Sequence, residues 1–320
     1  MSLANREAPI LAIVVPCYNE EAVIDETASR LLDVLAGLRA KSKVADGSFA
    51  CFVDDGSDDA TWGRVVALHS GHPEIRGIKL ARNFGHQNAL LAGILEVKDR
   101  ADCAISIDAD LQDDVGAIER MVDLFAEGND VVYGVKKSRD SDTFLKRQTA
   151  QLFYRLMRRM GVDLVYNHAD FRLLSRRVMD SLSGFQEINL FLRGIIPAIG
   201  FRSAKVHYDL RARFVGVSKY PMKKMLTFAF DGITSFSVVP LRIVTALGMA
   251  LFVLSLFLSV WVVVSVIRGN VVPGWASTVL PVYLLGGLQL MGIGLVGEYI
   301  GKIYKEVKAR PRFIKEEELL

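Results

Sequence analysis

The chain has 320 residues, 51% of them hydrophobic, and a positive mean hydropathy, which excludes intrinsic disorder and leaves room for a folded domain of ordinary size and something more. Its 39 basic and 36 acidic side chains give a formal net charge of only +3. They are segregated: residues 1–135 carry net −11, 136–224 net +12 and 225–320 net +2, so an evenly charged single-task domain is a poor description.

From residue 10 to 135, short β-branched runs alternate with helical patterns, the mark of repeated β-α units and a mainly parallel sheet. Strands are predicted at Ile10–Pro16, Phe49–Asp54, Ile75–Leu80, Cys103–Asp108 and Asp130–Tyr133. Between the first two, Ile24, Ala28, Leu31, Leu35 and Leu38 fall on one face of a helix, with Gly37 and Gly47 flanking its end and Asp46-Gly47 as a turn. Cys17, Cys51 and Cys103 are widely spaced and lie in or just beyond predicted strands, which suggests buried inert thiols rather than a disulfide framework or a zinc site.

Asp142 to Met160 interleaves Phe144, Leu145, Leu152, Phe153, Leu156 and Met157 with Lys146, Arg147, Arg155, Arg158 and Arg159. That pattern fits a basic amphipathic helix in a membrane interface, or a solvated helix packed on its own domain. Lys219 to Pro240 is a second interfacial candidate. Ile243 to Ile267 and Gly269 to Gly297 then give 25 and 29 residues without a charge, against the ~20 that a spanning helix needs. Two buried helices of a soluble core would normally keep a polar stripe, so two transmembrane helices are expected. Basic residues before the first and after the second predict both termini and the sheet domain on the cytosolic side, with Arg268–Trp275 as a short external turn. The expected organisation is therefore a cytosolic domain over 1–218, juxtamembrane helices over 219–240, a transmembrane hairpin over 241–301 and a cytosolic basic tail over 302–320, in a multi-pass protein of the inner membrane. No secretion signal is read at either end. Gly286, Gly287, Gly292, Gly294 and Gly297 permit close packing, either between copies in a homo-oligomer or between the two helices of one chain.

In parallel α/β sheets, ligands bind at the carboxyl ends of the strands. There the sequence places Pro16-Cys17-Tyr18-Asn19-Glu20, Asp54-Asp55-Gly56-Ser57 and Asp108-Ala109-Asp110. Two carboxylates two residues apart on a turn can converge on a divalent cation, and Gln112 adds a neutral oxygen. Alone, an Asp-x-Asp also serves as a turn or helix-cap acid.

The strings Val14-Val15-Pro16-Cys17-Tyr18-Asn19-Glu20-Glu21, Val53-Asp54-Asp55-Gly56-Ser57, Ala81-Arg82-Asn83-Phe84-Gly85-His86-Gln87 and Asp108-Ala109-Asp110-Leu111-Gln112 resemble family 2 glycosyltransferases of the GT-A fold. With Asp170-Phe171-Arg172-Leu173, Arg213-Phe214-Val215-Gly216-Val217-Ser218-Lys219-Tyr220 and Ser235-Phe236-Ser237, the resemblance narrows to polyisoprenyl-phosphate glycosyltransferases. One departure is Asp113-Asp114-Val115-Gly116, where the family continues with Pro-Pro-Glu.

The resemblance implies a Rossmann-like α/β sheet, a nucleotide sugar as donor, a polyprenyl phosphate as acceptor, Mg²⁺ or Mn²⁺ as cofactor, and inversion at the anomeric carbon. It implies nucleotide contacts from Pro16, Tyr18, Glu20, Asp54, Asp55, Arg82 and Asp108, and metal ligands at Asp108, Asp110 and Gln112. Arg213, Ser218 and Lys219 would hold the acceptor phosphate, with Arg139 and Arg155 as weaker candidates; Asp110, Arg213 and Lys219 would carry catalysis. These roles are chemically consistent: carboxylates accept from base N–H and ribose hydroxyls, and arginine forks pair with phosphate. His86 could be taken for a base, and a structural or capping role is at least as good a reading. A nucleic-acid partner is not expected. A processive polysaccharide synthase would show Gln-x-x-Arg-Trp, which is absent; a membrane-tethered nucleotide or cation sensor would release no nucleoside diphosphate.

Overall fold

The computed structural model describes residues 8–136, 168–188, 190–209, 239–268 and 274–320. The first amphipathic candidate and Arg139, Arg155, Arg213, Ser218 and Lys219 lie outside the described residues, as does all but the end of the 219–240 segment.

The strands are β1 (Leu11–Cys17), β2 (Phe49–Asp54), β3 (Ile75–Leu80), β4 (Cys103–Ser106), β5 (Val131–Lys136), β6 (His168–Ser175), β7 (Ser203–Tyr208) and β8 (Lys315–Leu319). Among the described residues they form one mixed sheet in the order β7-β5-β6-β4-β1-β2-β3-β8. The pairs β1/β2, β1/β4, β2/β3 and β5/β7 are parallel, whereas β6 runs antiparallel between β4 and β5 and β8 antiparallel to β3. The five predicted strands are present, β2 and β3 with the predicted bounds and the others with ends shifted by up to three residues; the sequence does not predict β6, β7 and β8.

Helix α1 (Ile24–Ala40) buries Ile24, Ala28, Leu31, Leu35 and Leu38 as the spacing requires, but it runs through Gly37, and the chain turns at Ser42 with φ 52°. Helices α2 (Thr61–Gly71), α3 (His86–Val97) and α4 (Ala117–Ala126) follow β2, β3 and β4; α5 (Arg176–Ser183) and α6 (Leu192–Ile199) follow β6. Leu11, Ile13 and Val15 of β1 join a cluster with α1 and with Ile118, Met121 and Val122 of α4. Val14 faces the opposite way, onto α3, where a Cβ on Gly93 would collide with Val14 and Val53. Central strands covered on both faces read as continuous apolar runs, which is why β1 and β2 were legible. Pro16 is tolerated in β1 because the pairing with β4 ends at Val14 opposite Ser106, so its missing N–H costs no ladder bond on that side. The three cysteines are buried and free.

The chain divides into two compact units: the sheet with its helices, together with residues 310–320, and a helical unit. The latter contains α7 (Val239–Ile267) and α8 (Trp275–Val307). Gly292 approaches α7, where a Cβ would lie 3.4 Å from Val244. Among the described residues no helix is long and apolar enough to cross a membrane. The expected transmembrane hairpin and multi-pass placement in the inner membrane are corrected on that finding. Helix α8 carries Gln289 within its apolar stretch and Glu298 and Lys302 beyond it.

Candidate functional site

The site is built by strand register. Cys17 pairs with Asp54 and Val14 with Ser106, so the turns after β1, β2 and β4 open at one edge of the sheet. Because β6 is antiparallel to β4, with Arg172 opposite Ser106, its early residue Asp170 reaches the same edge.

The first two turns are fastened to each other. Asn19, at φ 55°, donates its N–H to Ser57 Oγ at 2.9 Å and accepts from Asp58 N at 2.9 Å; Glu20 N donates to Thr61 Oγ1 at 2.9 Å. Tyr18 is 41% exposed and its hydroxyl donates to Asp58 at 3.4 Å, whereas Pro16 is buried within β1. Asp54 is fully buried and accepts from the Ser57 hydroxyl and, at 3.3 Å, from Ser57 N. Burial pushes its carboxyl up, against the Ser57 hydrogen bonds. Asp55 accepts from Phe84 N at 2.7 Å and Gly85 N at 2.9 Å, which ties it to the loop carrying Arg82. Gly56, at φ 67°, lies so close to the Arg82 backbone that a Cβ would collide with it. Arg82 is exposed at the rim, its guanidinium 4.2 Å from the Phe84 ring centroid.

Beside these turns lie the carboxylates after β4. Asp110 Oδ1 accepts from Gln112 N at 3.1 Å across Leu111, which is 3% exposed and held at φ 58°. A leucine in the left-handed region is strained, and here it brackets the two oxygen-bearing side chains. Atoms crowding Asp108, whose side chain keeps 44% of its surface, push its carboxyl up to about 6; Asp170, Asp113 and Asp110 add to this and His86 opposes it. Asp113 is buried and bonded by the Tyr208 hydroxyl, with Lys136 Nζ 3.9 Å away. The residue that departs from the family pattern therefore has its own buried partners.

A second cluster flanks the first. His86 Nε2 lies 3.5 Å from Asp108 Oδ1 and 3.7 Å from Asp170 Oδ2. Asp170 is also paired with the fully buried Arg172 and with Arg193, whose Nη2 is 2.9 Å from Oδ2. Burial pulls His86 down, but the hydrogen bond to Asp170 and the charge of Asp108 outweigh it and raise the imidazole above its ordinary value. His86 is the first residue of α3 and no side chain caps that helix, so the capping role is replaced by a bridge between two carboxylates. Arg193 went unnoticed in the sequence because a lone arginine in the first turn of a short apolar helix carries no pattern.

Asp108, Asp110 and Gln112 offer hard oxygens beside two further carboxyl groups, Asp113 and Asp170, a donor chemistry that suits Mg²⁺ or Mn²⁺ completed by substrate phosphates. Among the described residues no group of three or more His, Cys, Asp or Glu side chains is placed to hold a metal ion by itself.

An α/β sheet with acidic turns gathered at the carboxyl ends of its parallel strands is the class of protein that the fold and this site define. The glycosyl transferase family 2 signature matches residues 12–183, and the chain belongs to that family of enzymes. It is 52% identical to the uncharacterized glycosyltransferase YkoT of Bacillus subtilis, over 97% of this chain and 92% of that protein. It is 36% identical to the bactoprenol glucosyl transferase of Shigella phage SfX, over 95% and 98%. Among solved structures, mannosyl-3-phosphoglycerate synthase from Rubrobacter xylanophilus aligns with a TM-score of 0.47 at 14% identity, over 70% of this chain and 71% of that one.

Proposed function

We propose that the chain transfers glucose from UDP-glucose to the phosphate of a polyprenyl phosphate, with inversion and with a divalent cation. The observation that carries this reading is the juxtaposition of Asp108 and Asp110 with the buried Asp54 turn at one sheet edge. The relatives named bactoprenol glucosyl transferase, alike over nearly the whole chain, support the acceptor and the sugar.

In this reading Asp54 accepts from the base, Tyr18, Glu20, Pro16 and Asp55 shape the nucleoside pocket, and Arg82 pairs with the diphosphate. Asp108, Asp110 and Gln112 would hold Mg²⁺ or Mn²⁺, which would supply positive charge to offset that of the nucleoside diphosphate. An acceptor phosphate oxygen forms a bond to the anomeric carbon as the bond to the diphosphate oxygen breaks. The acceptor is already an anion near neutral pH, so positioning and charge neutralisation replace a strong general base. Arg213, Ser218 and Lys219 grip that phosphate, with Arg139 and Arg155 as outer cations.

The test is a screen of nucleotide sugars against polyprenyl phosphate with Mg²⁺ or Mn²⁺, read by lipid product mass and nucleoside diphosphate release. Asp110→Ala is expected to lower turnover by about 10²–10³-fold or more while the protein still folds. Unchanged activity in that variant rejects the metal assignment, and absence of released nucleoside diphosphate in the wild type favours the sensor.

A further inference from the structure

Arg82 sits in a loop with two anchors, and only one of them belongs to the donor pocket. On the inner side, Asp55 holds Phe84 N and Gly85 N, and Gly56 packs on the Arg82 backbone. On the outer side, the N–H of Ala81, immediately before Arg82, donates to the carbonyl of Ile314 at 2.9 Å. Ile314 leads into β8, whose Lys315 lies opposite Leu80 at the end of β3, with a register shift between Lys79 and Leu80. Without β8, strand β3 would be the open edge of the sheet, and the loop would lose its outer anchor.

The rest of this C-terminal segment is fixed by side chains. Trp62 Nε1 donates to Glu317 at 3.0 Å, Lys79 Nζ lies 3.1 Å from Glu316, Lys315 Nζ 2.7 Å from Glu96, and Arg312 donates to the Phe185 carbonyl at 2.7 Å. Each exposed ion pair contributes little by itself. A strand pairing and a tryptophan hydrogen bond, joined to residues more than two hundred positions earlier, make a built docking site for the segment.

We infer that the C-terminal segment Arg312–Leu320 is a positioning element for the nucleotide sugar: it completes the sheet beside β3 and holds the loop that presents Arg82. This rests on the reading of Arg82 as the diphosphate-pairing cation. The segment touches no reacting atom; it acts through the loop.

The test compares the full chain with a chain ending at Pro311, each with and without Arg82→Ala, in steady-state transfer assays and by calorimetric titration with UDP. Loss of the segment is expected to raise the donor KM and the UDP Kd about tenfold, with kcat within about twofold and the acceptor KM unchanged. Adding the peptide Arg312–Leu320 in trans is expected to restore the donor KM by strand addition. In the Arg82→Ala background, removing the segment is expected to cost little more, because the two changes act on one interaction. If Arg82→Ala leaves the donor KM unchanged, the role of Arg82 fails. If Arg82→Ala raises it and the shortened chain does not, or if the two effects multiply independently, the positioning inference fails. Should the shortened chain not fold, Arg312→Ala/Glu317→Ala removes two anchors and is judged by the same pattern.

Discussion

Asp170 is nine-tenths buried yet ionised, because His86, Arg172 and Arg193 converge on it. Burial pushes its carboxyl up, but those partners outweigh it and hold it well below the usual carboxylate range. A depressed folded pKa stabilises the protein above the unfolded value of ~3.9, and that contribution is lost as pH falls below it. Asp170→Asn is therefore expected to cost about 3–5 kcal/mol at pH 7, since it leaves buried Arg172 uncompensated. Denaturant titrations should show the gap to wild type narrowing below pH ~4. At Gly56 the left-handed φ and the contact with Arg82 act together, so Gly56→Ala is expected to destabilise by about 2 kcal/mol or more and to weaken UDP binding. An intact UDP Kd in that variant would separate the turn from the donor pocket.

Helix α3 is placed by the same economy of space. Gly93 lets it lie on Val14 and Val53, and its first two residues serve the site: His86 bridges Asp108 and Asp170, and the Gln87 side-chain carbonyl accepts from Leu192 N at 2.9 Å. Gly93→Leu is expected to push the helix off the sheet at a cost of about 1–3 kcal/mol, and to lower transfer activity in the fraction that folds, measured by thermal unfolding alongside the assay. The covered strands β1, β2 and β4 announced themselves through apolar runs, and β3 through Ile75, Ile78 and Leu80 set around Arg76 and Lys79. Strand β6 did not, because Asp170 and Arg172 interrupt it and their burial depends on each other. Strand β7 alternates exposed and buried residues at a sheet edge, and β8 reads Lys-Glu-Glu-Glu-Leu, a sequence that no local pattern marks as a strand. Its partner lies too far away in the chain for periodicity to reveal the pairing.

For the molecule as a whole, the charge division sets acidic residues 1–135, proposed as the donor side, against basic residues 136–224, proposed as the acceptor side. Arg213→Ala is expected to raise the acceptor KM far more than the donor KM, and a water-soluble alcohol should be a poor substitute for polyprenyl phosphate; equal use of the two acceptors would overturn the role given to residues 136–224. The apolar stretches after residue 243 fold as long helices, but an uncharged run is not by itself a membrane span, and among the described residues none meets that requirement. By itself the sequence determined the α/β class, the central strands, the family, and the turns bearing Asp54, Asp108 and Asp110, because each of these is written in neighbouring residues. Only the tertiary structure decided which of those acids have partners, that Asp170 and Arg193 lie beside them, and that residues 315–319 pair with β3 while Ile314 accepts from Ala81 N. Those facts depend on contacts between segments far apart in sequence, and such contacts leave no local periodicity to read.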